Sequence, residues 1–280
     1  MSVAAETIAA PRRRTGARAL AFARRHLLTV YALLAFGYLL LPITVVVLFS
    51  FNNPAGRFNY TWQGFTLDNW IHWDAVPGLR DAIELSLEIA AISSVCATAL
   101  GALIALALVR YGFRGRGATN LLIFLPMSTP ELVLGASLLT LFLTLNFATG
   151  FWTIVIAHIM FNISYVVVTV KARLVGFDRH LEEAAMDLGA NEWTTFTRVT
   201  LPLIAPGILA ALLLSFALSV DDFVITNFNA GTTVTFPLFV WGAARAAVFP
   251  QINVVGTAIF VVALTAMLVN VLLQRRKESA

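Results

Sequence analysis

Long apolar segments dominate the chain and alternate with short polar ones. Each of six such segments is about 20 residues or longer, which is enough for a helix to cross the hydrocarbon core of a bilayer. None alternates with the period of two that a membrane β-barrel strand shows. The pattern predicts six transmembrane helices, at about 27–51, 85–109, 121–145, 151–170, 205–228 and 254–273.

Composition points in the same direction. Of the 280 residues, 59% are apolar and 12% are charged, whereas soluble domains carry about 25% charged residues. So few charges could not cover the surface of a soluble enzyme, and disordered and fibrous chains are excluded as well. We therefore expect an all-α integral membrane protein with an N-terminal arm at 1–26 and one membrane domain at 27–276.

Basic residues are divided unequally between the two sides of the predicted helices. All but three of the 19 lysines and arginines fall in segments that lie on one side, and the exceptions are Arg57, Arg80 and Arg245. Cytoplasmic loops carry the excess of Lys and Arg. This rule predicts that both termini and the loop at 171–203 are cytoplasmic. Acidic lipid headgroups then account for the pI of 9.6 without a nucleic-acid partner.

The loop at 171–203 has the pattern of two short helices rather than of a plain connector. Asp178 is a suitable N-cap, and apolar residues after it repeat at the spacing of one helical face. These residues are Leu181, Ala184, Ala185 and Leu188. Gly189 predicts the end of this helix, and Asn191 can cap the next one. The pattern leaves open whether the apolar face binds a partner, packs on its own membrane domain or lies among headgroups.

A motif in this loop resembles the EAA signature of permease subunits of binding-protein-dependent ABC importers. Glu183-Ala184-Ala185 is followed after three residues by Gly189 and after nine more by Val199-Thr200-Leu201-Pro202. The family pattern is EAA-x3-G-x9-I-x-LP, so only Val199 departs from it. The resemblance covers about residues 80–273. It implies the type I importer permease fold, with six transmembrane helices and a cytoplasmic coupling helix between helices four and five.

The resemblance also implies a set of partners. In this family the coupling helix docks into a groove of an ATPase subunit, and the residues that carry over are Leu181, Glu182, Glu183, Ala184, Ala185, Leu188 and Gly189. The chain has no GxxxxGK[ST] loop, so we expect it to be no enzyme and to bind no cofactor itself. ATP and Mg would bind to a partner ATPase dimer. A second homologous permease, forming a heterodimer, and an extracytoplasmic solute-binding protein would complete the importer in the bacterial inner membrane.

Acidic residues in or near the predicted helices are candidates for contact with the transported solute. Charges inside a membrane are costly and usually functional, and unpaired carboxylates suit a cation, as do aromatic faces. The candidate pathway residues are Glu131, Asp221, Asp222, Phe223 and Trp241. A structural alternative stays open for each acid. Glu131 would cap a helix that restarts after Pro130, and the two aspartates would turn the chain in headgroup water.

Cysteine and histidine offer little further chemistry. The single cysteine, Cys96, excludes a disulfide within the chain. The four histidines, His158 among them, show no metal-ligand spacing, and we interpret them as isolated polar or packing residues. The sequence therefore predicts no metal site and no catalytic residue.

Softer similarities favour a substrate class. Segments 125–135, 218–225, 235–238 and 250–253 resemble the spermidine/putrescine permeases, which implies transport of polyamine. The alternative is the same machinery for iron(III) or another small solute. A secondary transporter is less favoured, because only one broken helix and no repeat are visible. An intramembrane enzyme would need a nucleophile–base set that His158 and Asn162 do not complete.

Overall fold

The structure, a computed structural model, describes residues 14–176, 178 and 180–278, and the side chains of 26–265 and 268 within them. Residues 1–13 of the predicted N-terminal arm lie outside this description. The described residues form helices and two isolated β-bridges, Asn52 with Phe65 and Phe58 with Val248, but no strand. The predicted all-α class is confirmed.

The helices follow one another through short connections, apart from the longer segment 50–67 between the first two. In chain order they are α1 (Arg14–Phe49), α2 (Asp68–Ile71), α3 (Leu79–Arg110), α4 (Arg116–Ser128), α5 (Glu131–Thr144), α6 (Phe151–Val175), α7 (His180–Asp187), α8 (Glu192–Thr195), α9 (Leu201–Asp221), α10 (Val224–Asn229), α11 (Phe236–Ala246) and α12 (Pro250–Glu278). A π-helical turn at Phe196–Thr200 joins α8 to α9. Such turns are rare and often occur at functional sites.

Four helical stretches within the described residues are long and apolar enough to cross a membrane. They are His26–Phe49, α3, α6 and the continuous stretch Glu192–Asp221. The bent pair α4 and α5 raises the number to five if it forms one span. The predicted sixth span corresponds to α12, whose described apolar part, Pro250–Thr265, is shorter than the others. The count of six transmembrane helices therefore stays a prediction.

Two of the predicted spans are broken. The axes of α4 and α5 meet at 109°, at Thr129 and Pro130, as expected, because the residue before a proline avoids the helical conformation. The prediction of one helix over 205–228 is wrong. Helix α9 ends at Asp221, and Asp222 is extended, with a ψ of 119°. The carboxylate of Asp222 accepts the backbone N–H of Thr226 at 2.7 Å, which offers the backbone an alternative to a continuous helix.

The chain forms two compact units, Val76–Ala247 and the described residues on either side of it. In the flanking unit, α1 and α2 contact α12. The buried amide of Asn52 organises the segment after α1, because it donates to Asn59 Oδ1 at 2.6 Å and accepts from the backbone N–H of Gln63 at 2.8 Å. The ring of Phe51 stacks on Trp70.

In the unit Val76–Ala247, α3, α6 and α9 pack on one another with small residues at the contacts. Their shared core includes Ala97, Ala105, Val166, Val170 and Ala211. Gly101 allows the closest approach, since a Cβ atom there would lie 2.6 Å from Cγ1 of Val166. Small residues that let backbones approach are the usual means of helix packing in membranes.

The close crossing at Gly101 yields a prediction about stability. We expect Gly101→Ala to lower the free energy of unfolding by up to about 2 kcal/mol, because overpacking costs about 1–3 kcal/mol and the gain in helix propensity offsets only about 1 kcal/mol of it. The thermal unfolding midpoint in detergent measures this effect. Gly37→Ala is the control, because a Cβ atom at Gly37 would meet nothing within 4 Å. Equal midpoints for the two variants would contradict the packing argument.

Candidate coupling surface and membrane-embedded acidic site

The segment that resembles the EAA motif folds into a short helix with defined ends. Asp178 precedes α7, and its Oδ1 accepts the backbone N–H of His180 at 3.0 Å. At the other end, Gly189 has a φ of +89°, as its predicted role as a stop requires. The backbone N–H groups of Gly189 and Ala190 donate to the carbonyls of Met186 and Ala185. This pattern is a Schellman motif, which satisfies carbonyls that the helix itself leaves unpaired.

A charged pair lies at the start of α7. Nδ1 of His180 lies 2.7 Å from Oδ1 of Asp178. The hydrogen bond with His180 lowers the pKa of Asp178, and the same bond raises the pKa of His180 above its ordinary 6.5. A lowered acid pKa and a raised base pKa widen the pH range over which the two side chains carry opposite charges. Both groups are exposed, so solvent screens the pair.

One face of this segment is apolar and uncovered. Leu188 is 90% exposed, and Leu181 and Met186 are also exposed. Trp193 of α8 adds a further exposed ring. Of the predicted docking residues, Leu181, Glu183, Ala184, Leu188 and Gly189 are exposed, whereas Glu182 and Ala185 are half-buried. The structure thus presents the predicted docking face to solvent, and its role in docking stays a prediction.

The opposite side of α7 is hydrogen-bonded to the end of α3 and to the π-helical turn before α9. Glu182, whose side chain is 14% exposed, accepts hydrogen bonds from the guanidinium of Arg110 and the hydroxyl of Thr200. Arg110 also donates to Thr200 Oγ1 at 3.1 Å. Arg110 is the last residue of α3, and Thr200 is the last residue of the π-helical turn before α9. We call these three residues the α7 node. The carboxylate of Glu182 therefore has its partners within its own chain.

The predicted pathway acids occupy three different environments. Glu131 is exposed. It is also the first residue of α5, which is the position that its alternative role at the positive end of a helix requires. Asp221 ends α9 and is exposed. Asp222, one residue later, has a side chain that is only 7% exposed. The two neighbouring aspartates are therefore not equivalent.

Asp222 is surrounded by hydrogen-bond donors. Its Oδ2 accepts the hydroxyl of Thr226 at 2.7 Å in addition to the backbone N–H of that residue. Nε2 of His158 lies 3.2 Å from the same oxygen. The ring of His158 is buried and reaches a second helix, because Nδ1 lies 2.6 Å from Oγ of Ser219. Oγ of Ser219 in turn lies 3.0 Å from Oγ of Ser93 on α3. We call these five residues the buried polar network.

The interpretation of His158 as an isolated residue is therefore wrong. Its polar partners come from α9 and α10, and spacing along the sequence could not reveal them. One signal for this network was present in the sequence, namely a histidine inside one apolar segment and an aspartate inside another. Both are costly within a membrane unless they find partners. Among the described residues, no cluster of three or more His, Cys, Asp or Glu side chains could hold a metal ion.

The two predicted pathway aromatics contact each other. The ring centroids of Phe223 and Trp241 are 5.1 Å apart. The guanidinium carbon of Arg245 lies 4.8 Å from the centroid of Trp241. The indole of Trp241 thus already binds a cation from its own helix, α11, in the geometry of a cation–π contact.

Comparison with known proteins identifies relatives over more than four-fifths of the chain. A family profile described as "Binding-protein-dependent transport system inner membrane component" matches residues 97–278. The spermidine/putrescine transport system permease protein PotC of Escherichia coli K12 is 38% identical over 243 residues, which cover 86% of this chain and 91% of PotC. The putrescine transport system permease protein PotI of the same organism is also 38% identical, over 82% of this chain and 84% of PotI.

Among solved structures, the fold has a counterpart in a bacterial ABC transporter involved in the import of the acidic polysaccharide alginate. The match has a TM-score of 0.68 and covers 92% of this chain and 99% of that one, at 17% sequence identity. At this identity the similarity shows the fold alone. It supports the expected type I importer permease fold.

The α7 node yields a prediction about local stability. We expect Glu182→Ala to speed amide hydrogen exchange in α7 by about 5- to 30-fold, because the lost charged hydrogen bonds are worth about 1–2 kcal/mol. Mass spectrometry of peptides covering 180–190 measures the exchange. Glu183→Ala is the matched control, since Glu183 is exposed on the same turn. If both variants exchange at the same rate, the node does not hold the helix.

Proposed function

The chain belongs to the family of inner membrane components of binding-protein-dependent transport systems, and we propose that it imports polyamines. It is a multi-pass permease of an ABC importer in the inner membrane. The observation that carries the substrate class is the 38% identity to permeases named for spermidine and putrescine, over more than four-fifths of the chain. Iron(III) and other small solutes, the alternative from sequence, find no comparable support.

The proposed importer needs partners. We propose an ATPase dimer that binds ATP and Mg, a second homologous permease and an extracytoplasmic solute-binding protein. The exposed apolar face of α7, which includes Leu188, supports an ATPase partner. Exposed apolar patches often mark sites where another protein binds. The distribution of Lys and Arg supports cytoplasmic termini, which place α7 on the same side as the ATP.

The proposed mechanism is alternating access. ATP binding would draw the two ATPase subunits together, and the docked α7 would carry that movement into the permease. The Schellman stop at Gly189 and the α7 node make α7 a well-defined element rather than a loose loop. A defined element can transmit a displacement that a loose one would absorb.

The proposed pathway for the polyamine uses acids that solvent can reach. Glu131 and Asp221 are exposed, and the pair Phe223 and Trp241 offers aromatic faces beside the end of α9. A polyamine carries several ammonium groups, whose hydration carboxylates and π-faces can replace. Arg245 occupies one face of Trp241, so an ammonium group that used this face would have to displace the guanidinium.

A charge placed in the docking face tests the coupling role. We expect Ala185→Asp to abolish putrescine uptake while the protein stays in the membrane in normal amount, because a carboxylate would be desolvated in the groove of the ATPase. Uptake in cells that express the whole importer, with immunoblots of membranes, measures both. The control is Ala118→Asp, the same change at an exposed alanine outside this segment. Normal uptake by Ala185→Asp would exclude docking at this face.

Neutralising one acid tests the substrate class. We expect Asp221→Asn to raise the KM for labelled putrescine about tenfold, which corresponds to about 1.4 kcal/mol of lost attraction. Asp74→Asn, a change at an exposed acid between α2 and α3, should leave the KM unchanged. An importer that takes up no putrescine would overturn the proposed substrate. An unchanged KM in Asp221→Asn would remove this residue from the pathway.

A further inference from the structure

The break between α9 and α10 is bridged by one buried side chain from a third helix. His158 of α6 is only 2% exposed. Its Nδ1 bonds to Ser219, which precedes the break on α9. Its Nε2 lies 2.9 Å from Oγ1 of Thr226, which follows the break on α10, and 3.2 Å from Asp222 within the break. The imidazole therefore contacts the chain on both sides of the interruption.

The hydrogen-bond inventory assigns a proton to Nε2 of His158 when Asp222 is ionised. An ionised Asp222 can only accept, and Oδ2 already receives the hydroxyl of Thr226. Nε2 of His158 must therefore donate to reach Oδ2 and the hydroxyl oxygen of Thr226. With Nε2 protonated, a neutral ring has an acceptor at Nδ1. That acceptor takes the hydroxyl proton of Ser219, whose oxygen in turn can accept from Ser93.

These hydrogen bonds occupy the carboxylate of Asp222, whereas the neighbouring Asp221 is exposed. The backbone N–H of Thr226, its hydroxyl and His158 all donate to one oxygen of Asp222, and the N–H of Ile225 approaches the other at 3.4 Å. A carboxylate so occupied has little capacity left for a passing cation. Asp221 is exposed at the end of α9, and its direction depends on where the helix stops.

We propose that His158 is a positioning residue for transport. It holds Asp222 and the two helix ends so that α9 stops at Asp221 and the carboxylate of Asp221 points into the solute pathway. This inference rests on the proposed function, because it assigns Asp221 the contact with the ammonium group. His158 itself does not touch the solute.

A purely structural role makes a different prediction. A histidine that only stabilises the fold would change how much importer assembles, and therefore the maximal rate, without changing the KM. A positioning residue changes the KM, and its effect disappears when the group that it positions is already absent. Residues that act through one another show such non-additivity in double-mutant cycles.

The first experiment measures putrescine uptake by the whole importer in cells. We expect His158→Leu to raise the KM about tenfold and the double variant His158→Leu/Asp221→Asn to match Asp221→Asn alone. His158→Gln should keep the KM within about threefold of wild type, because an amide can both donate and accept. His72→Leu, a change at an exposed histidine, is the control. Additive KM effects, or a loss of maximal rate alone in His158→Leu, would overturn the proposal.

A second experiment needs no transported solute. Cys96 is the single cysteine of the chain, so Cys96→Ser gives a background in which Asp221→Cys can be labelled by a cationic methanethiosulfonate added from outside. We expect His158→Leu to slow labelling at least tenfold and His158→Gln to leave it nearly unchanged. Equal labelling rates in all three backgrounds would overturn the positioning role. If wild type takes up no putrescine but labelling depends on His158, the substrate is wrong and the positioning role stands.

Discussion

The structure depends on one constraint, that backbone groups at membrane depth must find partners inside the chain because lipid offers none. A helix meets it by itself, but each interruption exposes amide and carbonyl groups. At the first break the hydroxyls of Ser128 and Thr129 bond back to the carbonyls of Phe124 and Leu125, each at 2.7 Å. At the second, the carboxylate of Asp222 receives N–H groups of α10. At the second break a side chain therefore satisfies N–H groups that the break exposes, whereas at the first the two hydroxyls find their own partners in the preceding turn.

The helices that follow the two breaks pack on each other. A Cβ atom at Gly135 of α5 would lie 2.8 Å from the ring of Phe228 on α10, so only glycine permits this approach. Ile225 of α10 shares a buried cluster with Leu138 and Phe142 of α5. Two interrupted helices in contact are a recurrent way to build solute sites in transporters. The packing explains why the protein retains breaks that cost it backbone hydrogen bonds.

The sequence predicted this architecture unevenly, for a physical reason. Hydropathy predicted the long helices, and Pro130 predicted the first break, because both signals lie in the segments that they describe. The second break has no glycine or proline at Asp222 and Phe223, and its cause is a carboxylate whose partner His158 lies 64 residues away. Arg110 and Glu182 are likewise separated by 72 residues. Motif similarity predicted a short cytoplasmic helix here, but it could not show which acid of α7 bonds to α3 and to the start of α9.

Helices α3 and α9 contribute residues to both polar clusters and therefore connect one cluster with the other. Arg110 of α3 and Thr200 at the start of α9 belong to the α7 node, whereas Ser93 of α3 and Ser219 of α9 belong to the buried polar network. At 1.5 Å per residue, the stretches between the clusters are about 26 and 29 Å long. The two helices run antiparallel and pack along a shared core. Because close-packed helices deform little, we expect a displacement of α7 to move the ends of α3 and α9 that it contacts, and with them the parts of both helices that contribute to the buried polar network.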